Sequence, residues 1–272
     1  MLFNAVNLIY SQSIAEDRRR PRKPRHYPSS ACAVLQGKFT GKCRRATWYE
    51  WEGAERTNPP DAAALFKMST GNLIHGQLSG LLERALLAQG YTEEMFHGEG
   101  LGDELEEVGP DGEMGSVLWP FPGLLYPMSG RMDKRFVSPE GVRVSAEWKS
   151  TYGRGADDVK ANGPKPEALL QSYLYLRQER FPLDATILLY ACRDSGYLYG
   201  FWVTLCDGGM KAESMSSSKV QIVPISDADI SAPTAELEGF IGGDAPPPRD
   251  YEQGKGWQCN YCSFKKLCWG EP

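Results

Sequence analysis

The 272-residue sequence contains no apolar run near the length a membrane span needs, and no internal repeat. Its N-terminal MLFNAVNLIY lacks the basic n-region and the small-residue cleavage site of a secretory leader, so a cytoplasmic protein is expected. No GxxxxGK phosphate loop occurs, which excludes a chain that drives a helicase with ATP by itself. The seven cysteines are an odd number and three of them fall in the last fourteen residues, a distribution that suits ligands in a reducing compartment better than a disulfide framework. A net charge of −5 excludes a protein that coats nucleic acid indiscriminately.

What is present is a chain long enough, at 41% hydrophobic, for one sizeable core with appendages. Its charge is unevenly spread. Between Arg18 and Arg45 stand ten Lys/Arg and no acid, whereas 93–114 is acidic, Gly-rich and aperiodic, which reads as a loop or insertion. Such a dipolar chain can still guide a phosphate backbone along one face. Residues 1–28 read as a basic, weakly patterned arm, either solvated or in contact with DNA, with ordered structure beginning near Ser29.

The stretch from Gly130 to Ser150 organises the rest. Alternation over Met132–Val137 and Val142–Lys149 predicts two strands, joined at Ser138-Pro139-Glu140-Gly141, whose Pro and Gly positions suit a type I turn. A period of two puts Glu147 and Lys149 on one face and Trp148 on the other. A carboxylate beside an ammonium suits a magnesium site, with the lysine orienting or deprotonating the attacking water. A geometric condition follows. A two-residue loop across Pro139-Glu140 sets Asp133 opposite Ala146, on the wrong face, so Asp133 and Glu147 share a cation only if the loop is one residue longer or a bulge shifts the register. Alone, this hairpin reads better as an ordinary surface element with a solvated Glu and Lys.

Ser69 or Thr70 is expected to cap a helix with apolar positions Ile74, Leu78, Leu81, Leu82, Ala85 and Leu86 and a stop at Gly90, which places His75 at the edge of its buried face. A strand around Val117–Tyr126, broken by Pro120 and Pro122, is expected at a sheet edge. After a flexible loop at Thr151–Gly155, a helix from about Pro166 to Arg180 carries Gln171 and Tyr175 on one face, where their polar tips can hold Lys149 or a phosphate. Strands follow at Ala185–Ala191 and Leu198–Leu205. Residues 207–256 read as a variable segment with one weak strand at Val220–Ile225 and a Pro-rich linker at Ala245–Pro248. The pattern as a whole describes a mixed sheet flanked by helices.

The tail, 257–272, carries Cys259-x2-Cys262-x5-Cys268, three thiols at ligand spacing among aromatic residues. A fourth ligand must come from elsewhere. Cys43 is preferred over Cys32 because Arg44 and Arg45 favour a thiolate, and Thr47–Trp51 supplies aromatic packing. Spacing alone leaves zinc and a [4Fe–4S] cluster both open.

The order of His75, GRMD with Asp133, EWK with Glu147 and Lys149, QSYLY with Gln171 and Tyr175, and Cys43 with the C-terminal cysteines resembles the RecB-like nucleases of the PD-(D/E)XK superfamily. The likeness is to the iron–sulfur branch, which includes CRISPR-associated RecB-like exonucleases, the AddB nuclease domain and phage exonucleases. It covers roughly 29–272 and is carried by motif order more than by any one motif. It implies a restriction-endonuclease-like core over 29–206 and a Mg²⁺- or Mn²⁺-dependent DNA exonuclease. The metal would be held by His75, Asp133, Glu147 and the backbone carbonyl of Trp148. Lys149 would activate or position the water, and Gln171 with Tyr175 would orient Lys149 and the DNA. The resemblance also implies a [4Fe–4S] cluster on Cys43, Cys259, Cys262 and Cys268 that clamps the N-terminal segment to the tail. Arg44, Arg45, Tyr152 and Arg154 are expected DNA contacts on single strands or duplex ends, and a recombination or CRISPR-adaptation complex is an expected partner. The bulky Trp148, the acidic segment and the basic arm depart from the family pattern. The competing expectation is a non-catalytic DNA-binding module with a structural zinc.

Overall fold

A computed structural model describes residues 25–58, 62–94, 117–130, 132–179, 181–252 and 257–270. The first five of the ten basic residues between Arg18 and Arg45, and most of the acidic segment, lie outside the described residues. Eleven strands occur among the described residues: β1 (Cys32–Leu35), β2 (Lys38–Gly41), β3 (Thr92–Glu93), β4 (Val117–Trp119), β5 (Met128–Gly130), β6 (Lys134–Val137), β7 (Arg143–Thr151), β8 (Ala185–Cys192), β9 (Leu198–Cys206), β10 (Gly209–Ser214) and β11 (Val220–Pro224). The helices are α1 (Arg44–Trp51), α2 (Ala62–Ala88), α3 (Arg154–Asn162), α4 (Pro166–Arg177), α5 (Asp227–Glu238), α6 (Trp257–Asn260) and α7 (Lys265–Trp269). They divide into two compact units, one containing Lys42–Leu73 and Thr234–Pro272, the other Arg25–Gly41 and Ile74–Pro233.

The larger unit is built on a seven-stranded sheet of order β11-β10-β9-β8-β7-β6-β3. Only β7 and β8 pair in parallel, and the long crossover such a pair requires carries α3 and α4. Strand β7 is buried on both faces. Val144 and Ala146 enter a core with Phe136, Ala185, Ile187 and Leu86 of α2. The opposite face of the sheet packs on Leu169, Leu170, Tyr173 and Leu174 of α4. Glu147 and Lys149 have the parity of this second face, so the sheet's own period aims them at α4.

Several expectations change. The arm does not end at Ser29: His26 is buried and bridges Met128, donating its N–H to the Pro127 carbonyl while its own carbonyl accepts from Ser129. Helix α2 begins at Ala62 rather than after Ser69, because Ala-Ala-Ala-Leu-Phe is a strong helix-forming run behind Pro59-Pro60-Asp61. Its stop is where the sequence placed it, with Gly90 at φ +84° and Tyr91 donating to the Leu86 carbonyl. Leu81, 54% exposed, is outside the buried stripe, which runs through Leu82 and Leu86. Strand β4 is only Val117–Trp119, and it pairs with β5 in a separate two-stranded sheet instead of edging the main one. The segment after 206 is no variable appendage: β10 and β11 extend the main sheet and α5 follows.

Gly130 on β5 sits under two rings. A Cβ there would lie 2.8 Å from Trp119 Cη2 and 2.8 Å from Tyr175 Cε1, with Pro28 Cγ at 3.1 Å. Both rings are buried and cannot swing away, so Gly130→Ala is expected to destabilise the protein by about 1–3 kcal/mol in urea unfolding. No helix among the described residues is long and apolar enough to cross a membrane.

Candidate active site and cysteine cavity

The hairpin meets the geometric condition set by its sequence. Its register pairs Val137 with Arg143, Phe136 with Val144 and Lys134 with Ala146, so its continuation sets Asp133 across from Glu147. The extra residue is in the turn: Gly141 donates to the Ser138 carbonyl and lies at φ +85°, and Ser138 N–H closes onto Val142 O. This is a type I turn followed by a left-handed glycine, the three-residue hairpin connection.

Asp133 is held from two sides. Its Oδ2 lies 2.8 Å from His75 Nε2 and accepts the Trp148 backbone N–H at 3.0 Å. The Asp133 hydrogen bond raises the His75 pKa above the ordinary imidazole value. Lys149 Nζ is clamped between Glu147 Oε1 at 2.7 Å and Gln171 Oε1 at 2.8 Å. Gln171 is buried on α4, so the partner foreseen for Lys149 is fixed in place by helix packing. Tyr175, one turn further, is buried with its ring 6.2 Å from that of Trp119, and supports α4 and β4. The Trp148 side chain is buried on the face away from Glu147, as the strand period requires.

Burial pushes the Glu147 carboxyl up to about 7, with nearby Asp133 adding to the rise and Lys149 opposing it. A carboxyl raised in the folded state contributes stability in full below its unfolded value and loses it as pH rises through the folded value. Stability is therefore expected to fall as pH rises from 4.5 to about 7 and then to level off. Urea unfolding across that range, with Glu147→Gln as the variant that flattens the profile, checks this.

His75, Asp133 and Glu147 supply imidazole and carboxylate donors suited to a hard divalent cation. Asp133 adds to the cost of ionising Glu147, an electrostatic condition that a cation relieves. Among the described residues, no group of three or more His, Cys, Asp or Glu is already gathered at metal-holding geometry. His75 and Lys149 contact the carboxylate oxygens that a cation would use.

The smaller unit brings the four expected cysteines to one place. Cys43, Cys259, Cys262 and Cys268 line a cavity of about 20 Å³ together with Tyr49 and Phe264. Trp48, Tyr49, Leu237 and Phe264 form the core beneath it, with Cys262 and Cys268 packed against them. Burial raises the Cys43, Cys259 and Cys262 thiols, and neighbouring thiols add to the rise for Cys259 and Cys262. The backbone N–H groups of Ala46, Asp250 and Arg45 favour the Cys43 thiolate. This support comes from the main chain, not from the arginine side chains invoked to choose Cys43. Thiolates are ligands for zinc and for iron–sulfur clusters alike, and these four line one cavity without yet standing at metal-holding geometry. Cys32 is buried on β1, opposite Gly41.

Arg44 has a different place from the one expected. Its guanidinium binds Asp250 at 2.6 Å and Glu236 at 2.5 Å, and its backbone N–H donates to Asp250 Oδ2, so Asp250 both caps α1 and neutralises the arginine. Arg45 Nε donates to the Pro247 carbonyl. The Pro-rich stretch read as a linker is thus bound to α1. Asp250 carried no sequence signal, since a lone Asp after a proline run matches no motif. Tyr152 and Arg154 are exposed, Arg154 at the first turn of α3.

No protein-family profile matches the chain, and no curated protein matches it. Among solved structures, the one titled "Crystal structure of SSO0001" is similar over 100% of this chain and 98% of that one, at 16% identity and a TM-score of 0.48.

Proposed function

We propose that the chain is a metal-dependent DNA nuclease of the RecB-like PD-(D/E)XK type, acting as an exonuclease on single strands or duplex ends. The observation that carries this reading is the Lys149 clamp, Glu147 Oε1 at 2.7 Å and Gln171 Oε1 at 2.8 Å, beside an Asp133 brought to the same face by the longer turn. A surface hairpin has no need to bury a glutamate and a glutamine around one ammonium.

In this reading His75, Asp133, Glu147 and the Trp148 carbonyl hold Mg²⁺ or Mn²⁺. When bound, the cation lowers the pKa of water and neutralises charge on the phosphoryl group. Lys149 has an N–H beyond the pair used by Glu147 and Gln171, and that donor orients water or a phosphate oxygen. Gln171 fixes the ammonium so that it pays no reorganisation when charge develops. Cys43, Cys259, Cys262 and Cys268 hold a [4Fe–4S] cluster with a structural role, tying α1 to the C-terminal tail. The setting we assign is cytoplasmic DNA recombination, repair or phage or CRISPR DNA processing, alone or as the trimming subunit of a larger complex.

The test uses anaerobically purified protein with end-labelled single- and double-stranded DNA in Mg²⁺, Mn²⁺ or EDTA. Degradation that requires a divalent cation is expected, and the label position reports polarity. Intact DNA with either cation, from protein that binds DNA and carries one zinc in its cysteine cavity, would favour the non-catalytic module.

A further inference from the structure

The loop after Lys149 was expected to be flexible; instead it is latched to the β8–β9 turn. Arg193 N–H donates to the Thr151 carbonyl at 2.9 Å, and Gly153 N–H donates to Asp194 Oδ2 at 2.8 Å. The Cys192 thiol donates to the other Asp194 oxygen at 2.7 Å. The latch sits at the carboxyl ends of the parallel pair β7 and β8, where open α/β sheets bind their ligands. On it, Tyr152 is 52% exposed, and the Arg193 guanidinium lies 4.9 Å over its ring. One face of the phenol is therefore backed by a cation, while about half of the residue is open to solvent. A single exposed aromatic is ordinary; one held by a stacked arginine on a doubly fastened loop is oriented.

Charges of both signs surround the ring. Arg154 is exposed two residues further on, and Lys165 Nζ comes within 3.4 Å of where a Cβ on Gly155 would sit. Asp157 is exposed, and Asp194 and Asp158 accept from neutral donors, so recognition here rests on the ring and not on a surplus of positive charge. Tyr152 is three residues beyond Lys149, at most about 10 Å along the backbone.

We infer that Tyr152, backed by Arg193, is a stacking platform for an unpaired base of the DNA strand whose phosphate lies at Lys149, so that the substrate must be single-stranded at that position. This rests on the nuclease reading for its location. Stacking is indifferent to base identity, because every base has a π-face, and so selects strandedness and not sequence. In a duplex the same base is stacked on its neighbours and hydrogen-bonded, and its face is not available.

The test reads binding in EDTA, where no cleavage occurs, by anisotropy of a labelled oligothymidine and of the same strand with abasic sugars at its centre. The full-length protein is expected to bind the abasic strand about tenfold more weakly, and Tyr152→Ala to bind the intact strand about tenfold more weakly with no further loss on the abasic one. Tyr152→Phe keeps the ring and is expected to retain base dependence. Thermal melting of each variant separates misfolding from lost contact. The proposal is overturned if Tyr152→Ala binds the intact strand as the wild type does, or still discriminates against the abasic strand. Because no divalent cation is present, absence of nuclease activity leaves this result standing, and loss of base dependence sinks the platform even in an active nuclease.

Discussion

Lys149→Ala is expected to lower DNA cleavage by about a thousandfold or more, with little change in DNA binding or in the content of the cysteine cavity. The magnitude follows from what a positioned proton-transfer or water-orienting group contributes, roughly 10²–10⁴ in rate. Lys149 is reached by Glu147 and by Gln171 from separate elements, β7 and α4, so its Nζ is located by two packed surfaces. The loss should fall on kcat, because no other function of the side chain is apparent in the fold. Gln171→Leu provides the companion measurement. It keeps the volume of a buried side chain but removes one acceptor from Lys149, and a loss of about tenfold in kcat is expected while Lys149 keeps Glu147. Single-turnover cleavage, with binding measured separately in EDTA, distinguishes a catalytic loss from a binding loss. If Lys149→Ala cleaves as fast as the wild type, the hairpin is not the reacting centre and the nuclease assignment of this site fails.

Much of this site was legible because strand periodicity is strict. Glu147, Trp148 and Lys149 alternate whatever the tertiary context, and helical spacing puts Gln171 on an inward stripe once α4 exists. The register of Asp133 was not legible. It depends on whether the turn holds two or three residues, which Pro139 and Gly141 leave open until the chain closes. Tyr175 illustrates another limit: its tip has hydrogen-bonding capacity, but the ring is committed to packing against Trp119 beneath Gly130, a contact between distant segments. Of the strands after 206, Val220–Ile225 was legible as a weak strand, whereas Gly209–Ser214 was obscured by its Gly, Lys, Glu and Ser content toward the sheet's outer end. Arg44 looked like a nucleic-acid contact for the reason that charge alone does not reveal its partner, and that partner, Asp250, is 206 residues away.

Cys262→Ser is expected to abolish the visible absorption of the purified protein, to remove its iron and sulfide, and to destabilise the smaller unit by several kcal/mol while the larger unit still melts as before. Cys262 lines the cavity with Cys43, Cys259 and Cys268 and packs on the core of Trp48, Tyr49, Leu237 and Phe264. A group bound by all four sulfurs joins residue 43 to residue 262. Treated as a covalent crosslink, closure of a loop that long restrains the unfolded chain by on the order of 5 kcal/mol. Binding free energy at such a site is folding free energy, since the ligands come together only in the folded chain. The polar contacts left to the unit include the Arg44 pairs with Asp250 and Glu236, the Arg45 bond to Pro247, the Asn58 bonds to Ser263 and Cys262, and the Arg249 stack on Trp269, at 4.2 Å. Separate hydrogen bonds and ion pairs of this kind replace a four-ligand group poorly. The larger unit has its own core around Leu174, Leu188 and Tyr190, which explains why its transition should be unaffected. Iron, sulfide and zinc analysis with a two-transition melt decides the matter. A wild type that is colourless, with one zinc per chain and the same dependence on Cys262, would assign the cavity to zinc. A wild type without any metal, whose stability does not change on Cys262→Ser, would show that the four thiols are packing residues and nothing more.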